Sequence, residues 1–325
     1  MKRNHTIDSA RLIGAFAVIV IHIGFTRPPW EAQIRLLARF AVPFFFMASG
    51  YFFEKKQKAE GNAAFGSTLL NLLSIYLIAN LIYLPVQTGA ALLHHKPMPW
   101  KLTDLLLGTW QHLWFVASLI VGYLNLWIFY SHRLQKLLPY ISVFFFVLML
   151  LSESYSFLGF PFPMELARTF LSIPLLYVGI LLSKYEVEKK ASLSFFIILA
   201  LVGIALHVGE TLLLFYLKRV QIGKLQFFIS TSLMAIGFLC LSLKAETPQP
   251  TKFSECGRKY SLLIYLYHPL ILLGSPKYYA FIPPRFVFFE WMGPLLAFAL
   301  TLLPILLIER YLPSVYRVIN GKLSN

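Results

Sequence analysis

Arg11 and His22, two ionisable residues in one apolar stretch near the N-terminus, open the chemical reading. They stand eleven residues apart, and at about 100° per residue an α-helix brings them back to within about 20° of each other, about 16 Å apart along the axis. Imidazole titrates in the range useful for moving a proton at neutral pH. Guanidinium offers forked donors to phosphate or carboxylate. Asp8, one turn before Arg11, is spaced to pair with it. Charged side chains at the centre of a lipid-crossing helix cost about 2.5–3.5 kcal/mol each, so they survive where they face a cavity or a partner. The shared face therefore predicts one polar cavity holding both groups. The structural alternatives are a neutral histidine bonded to a neighbouring helix and an arginine that snorkels to the interface.

Further polar residues recur at the ends of other apolar stretches. Arg39 precedes Ala41-Val42-Pro43-Phe44-Phe45-Phe46, either as an interface anchor or as a site residue, and Pro43 predicts a kink within its helix. Ser49-Gly50 allows close helix approach. His112 and Trp114 stand at a helix entry, where Trp114 is an interfacial anchor or a pocket wall. Arg168 lies at the outer end of a later stretch. Tyr265-Leu266-Tyr267-His268-Pro269 places a histidine just before a proline, and the backbone polarity that a proline frees is tolerated where it lines a cavity. The expected pocket is thus Asp8, Arg39, Ser49, His112, Trp114, Arg168, Tyr267 and His268 around His22 and Arg11.

The elements that must carry these residues follow from composition. Of 325 residues, 58% are hydrophobic and 13% charged, against about 25% charged in an ordinary soluble domain. Apolar stretches lie at roughly 9–26, 36–53, 67–91, 113–130, 137–151, 167–183, 192–217, 225–243, 260–274 and 288–308, several near the length that crosses a bilayer. The expected architecture is an all-α, polytopic membrane bundle of about ten transmembrane helices, forming one domain over residues 1–325. The seventh stretch is expected to break near Gly209 and Glu210. The loops 92–112 and 152–166 are expected to cap a site, and residues 246–259 to form an irregular linker that includes Cys256. Arg11, His22 and the Thr26-Arg27-Pro28-Pro29 ending argue against a cleaved signal peptide.

The net charge of +15 points to the membrane rather than to nucleic acid. With the N-terminus inside, 18 of the 29 Lys and Arg fall on the cytoplasmic side, which agrees with both termini being cytoplasmic. Two cysteines, Cys240 and Cys256, match no disulfide framework or zinc site. Standard nucleotide and metal motifs are missing, so no permanently bound cofactor or metal is expected.

Taken in order, Arg11 and His22 at their spacing, Arg39-x-Ala41-Val42-Pro43-Phe44-Phe45-Phe46-x-x-Ser49-Gly50, His112-x-Trp114-Phe115 and Tyr265-x-x-His268-Pro269 resemble the acyltransferase-3 family of ten-helix membrane acyltransferases. The resemblance covers nearly the whole chain and rests on the ordered set. It implies transfer of an acyl group, acetyl or succinyl, from cytoplasmic acyl-CoA as co-substrate to a hydroxyl of an extracytoplasmic glycan or lipid-linked sugar, in a bacterial plasma membrane. It also implies that Arg11 and His22 are the essential pair and that Arg39 and His268 are further recurring positions; the chemistry of the residues independently suits Arg11 to the CoA phosphates and His22 to a base or a transiently acylated nucleophile. One region departs from the family. The start of the third helix, often arginine-rich in family members, reads Asn62-Ala63-Ala64-Phe65-Gly66-Ser67-Thr68-Leu69, and the nearest bases are Lys55, Lys56 and Lys58. The same motifs are similar to the membrane domain of vancomycin-resistance serine racemases, which implies an alternative, transport of a small polar molecule such as serine. The sequence holds no internal repeat of the kind many transporters show.

Overall fold

Chain segments this apolar satisfy their backbone polar groups internally, which in lipid means helix. The computed structural model describes residues 4–22, 31–93, 95, 108–218, 227–247, 249–272 and 287–322, and it is helical throughout, with no strand among the described residues. The helices are α1 (His5–His22), α2 (Glu31–Ala38), α3 (Ala41–Glu60), α4 (Ala63–Leu93), α5 (Trp114–Ser131), α6 (Leu138–Ser152), α7 (Met164–Phe170), α8 (Ser172–Lys184), α9 (Val187–Lys190), α10 (Leu193–Lys218), α11 (Ile229–Lys244), α12 (Lys252–Leu272), α13 (Val287–Tyr311) and α14 (Pro313–Ile319). Eight spans among the described residues are long and apolar enough to cross a membrane. α11 is apolar but shorter, and α12 spans 21 residues behind a charged first half. With these two, the bundle has the expected architecture of a multi-pass membrane protein.

Exposure separates the lipid face from the core. Leu70, Leu77 and Leu81 on α4, Phe144 on α6, Leu201 and Leu213 on α10, and Leu303 and Leu307 on α13 are exposed. Such a belt of large apolar side chains is stable against lipid and unfavourable against water. The core is carried by α1, α3, α5, α8 and α12, whose side chains form one continuous buried cluster.

Glycines set the two closest helix contacts. A Cβ on Gly50 of α3 would fall 2.1 Å from the Leu176 carbonyl oxygen of α8, and one on Gly179 of α8 would fall 2.0 Å from that of Met47. The two helices thus rest backbone on backbone through reciprocal glycines, a contact that any side chain would push apart. On α12, a Cβ at Gly257 would fall 1.9 Å from the Asp8 carbonyl oxygen. That contact presses α12 along α1, so that the two helices run side by side from Gly257 at Asp8 to His268 beside His22.

Three local expectations need correction. Pro43 stands in the first turn of α3, where its missing N–H interrupts no intrahelical bond, and the chain instead turns at Arg39–Phe40. α10 runs unbroken through Gly209 and Glu210, because Glu210 is occupied outside its own helix. It accepts the N–H groups of Ile229 (3.1 Å) and Ser230 (2.9 Å) at the start of α11 and the Tyr155 hydroxyl (2.7 Å). The stretch read as an irregular linker becomes helical at Lys252, which puts Cys256 on α12 rather than in a loop. Most of the 92–112 loop lies outside the described residues.

Candidate functional site

Two cavities lie along α1, one near each end. The first is bounded by Asn4, Ile7, Asp8 and Arg11 of the N-terminal segment, Tyr51, Phe52 and Lys55 of α3, Glu188 and Lys189 of α9, and Leu243, Lys244 and Glu246 around the end of α11, and its volume is about 810 Å³. Arg11 Nη1 donates to Asp8 Oδ1 at 3.2 Å, and its guanidinium lies 4.9 Å from the Phe52 ring centroid. Lys55 Nζ sits 4.3 Å from the Tyr51 ring, while the Tyr51 hydroxyl donates to Glu188. Four cations, Arg11, Lys55, Lys189 and Lys244, thus share one wide mouth with three carboxylates.

The second cavity is much smaller, about 50 Å³, and is lined by His22 with Val18 and Ile21 of α1, by Arg39, Val42 and Pro43 at the start of α3, and by His112, Trp114, Met149, Glu153, Arg168, Leu171, Phe227 and Tyr265. Arg35 fixes the end of α1 here, its Nε donating to the Ile21 carbonyl at 3.1 Å. Arg168 Nη2 donates to Glu153 Oε1 at 3.4 Å, and its guanidinium lies 5.8 Å from the Trp114 ring. Arg39 is buried, 6.0 Å from the Phe228 ring.

The expectation of a single shared cavity fails. Arg11 and His22 do share a face of α1, yet Gly14 and Val18 lie between them on that face, and Gly14 is covered. A Cβ there would lie 3.0 Å from the Phe45 ring and 3.3 Å from that of Phe44. α3 therefore lays an aromatic partition across α1, with Phe45 at Gly14 and Phe52 at Arg11. Spacing around a helix fixes direction, and only the neighbouring helix decides whether the space in that direction is continuous.

The remaining candidates divide. His22, Arg39, His112, Trp114 and Arg168 come together at the second cavity, while Asp8 and Arg11 stand at the first. Two residues are misplaced by the sequence reading. Tyr267 lies outside both cavities, buried, with its hydroxyl donating to the Ile319 carbonyl on α14. Ser49 also lies outside both, on the half-buried flank of α3, where its carbonyl accepts the Tyr123 hydroxyl. Each sits close in sequence to a cavity residue but on the wrong face.

His268 is fully buried behind His22, with ring centroids 5.3 Å apart. Pro269 has no N–H, and carbonyls just before it are taken up by side chains. His268 Nδ1 lies 2.8 Å from Tyr265 O and 3.2 Å from Ile264 O. Leu266 O accepts the Tyr83 hydroxyl at 2.7 Å and faces His112 Nε2 at 2.8 Å. Tyr265 in turn donates its hydroxyl to His112 O. The three rings form a row, His112 standing 5.8 Å from His268.

Sequence reasoning missed Glu153, Lys189 and Lys244, and it quoted Tyr265 and Lys55 without assigning either to a site. Glu153 had a signal, being an acidic residue at the apolar end of α6 in a loop already suspected of covering a site. No group of His, Cys, Asp and Glu fit to hold a metal occurs among the described residues.

The chain matches the acyltransferase-3 family, described as an acyltransferase domain, over residues 4–310. The chain belongs to that family and is a membrane-embedded acyltransferase domain. It is 26% identical over 297 residues to a serine/alanine racemase of Enterococcus gallinarum, covering 84% of this chain and 41% of that protein. It is 29% identical over 127 residues to an amino-acid racemase of Enterococcus faecalis, covering 37% of this chain and 18% of that protein. The chain thus spans less than half the length of these relatives. No solved structure matches it.

Proposed function

We propose that the chain moves an acyl group, acetyl or succinyl, from cytoplasmic acyl-CoA to a hydroxyl of an extracytoplasmic glycan or lipid-linked sugar, in a bacterial plasma membrane with both termini inside. The observation that carries this reading is the pair of cavities at the two ends of α1, wide and cationic at Arg11, narrow and lined by histidine and arginine at His22. Their characters suit the two substrates. Arg11, Lys55, Lys189 and Lys244 offer charge to the phosphates of CoA, and the three lysines stand in for the arginines that the start of α4 lacks. Trp114 beside Arg168 offers an aromatic face and hydrogen-bond donors to a sugar.

In this scheme the CoA arm reaches from the first cavity towards the second, and the Phe45 ring swings off Gly14 to let it pass. His22 takes the proton of the acceptor hydroxyl. The hydroxyl oxygen attacks the thioester carbonyl carbon, and the negative charge that develops on the carbonyl oxygen faces the guanidinium groups of Arg39 and Arg168. As the C–S bond breaks, the CoA sulfur leaves with the electron pair and receives the proton back from His22, so that the ester and CoA-SH are the products. Glu153 holds Arg168 towards the cavity.

Purified protein in liposomes, given acetyl-CoA labelled in the acetyl group together with membrane glycolipid, is expected to release CoA and label the lipid fraction. Loss of both in His22→Gln, with the protein still in the membrane, supports the scheme. Unchanged transfer in that variant removes His22 from the chemistry. A second reading, movement of a small polar molecule such as serine, draws on the names of the racemase relatives and on Glu153 beside Arg168, which offer both charges to a zwitterion. Uptake of labelled serine without consumption of acetyl-CoA favours that reading.

A further inference from the structure

The histidine row has two nitrogens that nothing in the fold satisfies. His268 Nε2 and His112 Nδ1 are buried without a hydrogen-bond partner. Their ring partners explain why both are lone pairs. A carbonyl oxygen can only accept, so His268 carries its proton on Nδ1, against Tyr265 O and Ile264 O. By the same argument His112 carries its proton on Nε2, against Leu266 O. The helix before Pro269 thereby dictates the tautomer of both rings, and it turns the acceptor nitrogen of His268 away from α12. The ring standing nearest is His22, on the helix that Gly257 presses against α12. Of the two rings only His22 lines the cavity and is exposed, while His268 is sealed behind it.

We propose that His268 is a positioning residue for His22. Its Nε2 lone pair, unpartnered in this structure, takes one N–H of the His22 ring when that ring turns towards it from its present 39° tilt, which fixes the tautomer of His22 and aims the other nitrogen, bare, into the cavity. This is the logic of a base held by a third group, with a neutral imidazole in place of the usual carboxylate. A neutral acceptor suits the site, since a carboxylate buried there would carry an uncompensated charge. An unpartnered acceptor is costly to bury, so a turn of the His22 ring that brings its N–H onto His268 Nε2 is favoured.

The proposal rests on the reading of His22 as the base, but it is testable without turnover. Nitrogen-15 NMR of histidine-labelled full-length protein in nanodiscs reads tautomers directly, and the chain has only eight histidines to assign. In the wild type, His268 is expected as the Nδ1–H form and His22 as a single tautomer, coupled through its hydrogen bond to His268 Nε2. In His268→Leu, His22 becomes a mixture of tautomers. In His268→Gln, whose amide oxygen replaces Nε2 as acceptor, the single form returns. A mixed His22 in the wild type, or an unchanged His22 in His268→Leu, overturns the proposal. If the leucine variant does not fold, the wild-type spectrum and the glutamine variant decide.

The functional arm uses acetyl-CoA as probe and release of the CoA thiol as readout. In His268→Leu, kcat is expected to fall about 10- to 100-fold at unchanged KM, with most of it recovered in His268→Gln. A rise in KM with kcat intact overturns the positioning role. If the wild type releases no CoA, the donor assignment fails, and the tautomer measurement still decides the proposal.

Discussion

The partition between the cavities makes a quantitative claim about Arg11 and His22, because groups in separate compartments affect separate steps. Arg11→Ala removes a charge-assisted contact to the donor, worth about 1.5–3 kcal/mol in a favourable site. Here the lower end applies, since the Arg11 side chain is 31% exposed and already shared with Asp8. At about 1.4 kcal/mol per factor of ten, the KM for acetyl-CoA is expected to rise about tenfold, with kcat little changed. Removing Arg11 also leaves the buried Asp8 carboxylate facing the incoming phosphates, so Asp8→Asn in the same chain should recover part of that loss. His22→Gln deletes the base and is expected to lower kcat by about 10²–10⁴ with KM kept. The two residues lie about 16 Å apart along α1, well beyond the range of about 7–10 Å over which substitutions interact. The double variant should therefore show the sum of the two losses to within about 0.5 kcal/mol. The assay is steady-state release of CoA thiol by protein in nanodiscs. If Arg11→Ala abolishes kcat as fully as His22→Gln, and the double variant is no worse than either, the two act as one unit and the separation described here is wrong.

Other expectations follow from particular contacts. Raising salt from low to physiological strength should raise the KM for acetyl-CoA and leave kcat unchanged, because screening acts on the four-cation mouth, and Lys244→Ala should flatten that dependence. Gly257→Val should displace α12 from α1 and lower both thermal stability and kcat, whereas Gly66→Ala, with nothing within 4 Å of the added carbon, should do neither. Native-like stability and turnover in Gly257→Val would contradict the close packing of the two helices. Glu210→Ala removes the cap of α11 and should cost about 0.5–2 kcal/mol, seen as a lower melting temperature at an unchanged KM for acetyl-CoA. Glu153→Ala frees Arg168 from its partner and should lower kcat more than it raises the KM for acetyl-CoA; a pure donor-KM effect would place Glu153 in the wrong cavity.

Much of the fold was legible in the sequence, because apolar length and charge breaks are sufficient to mark lipid-crossing helices. What failed locally failed for tertiary reasons. Glu210 looked like a break in its helix because the N–H groups it satisfies belong to α11, 19 and 20 residues away. Pro43 looked like a kink because nothing local says that Arg39–Phe40 already ends the preceding helix. At the site, residue type was informative and residue face was not. His112, Arg39 and Arg168 were picked out as charges or imidazoles in apolar surroundings, yet Tyr267 and Ser49 were carried along by neighbours on other faces of their helices. Glu153 and the lysines of the Arg11 cavity come from elements far apart in the chain, so only folding puts them together.

The ring of Phe45 lying on Gly14 has one more consequence. A passage open from end to end would let ions and protons run down their gradients, and a living membrane cannot tolerate such a leak. In the proposed scheme the Phe45 and Phe44 rings over Gly14 would stand as a plug at rest, keeping the bilayer electrically tight while leaving a place where a slender chain can be admitted. Swapping Gly14 for a bulkier residue would therefore be expected to jam that entrance, whereas trimming Phe45 to alanine would trade insulation for access.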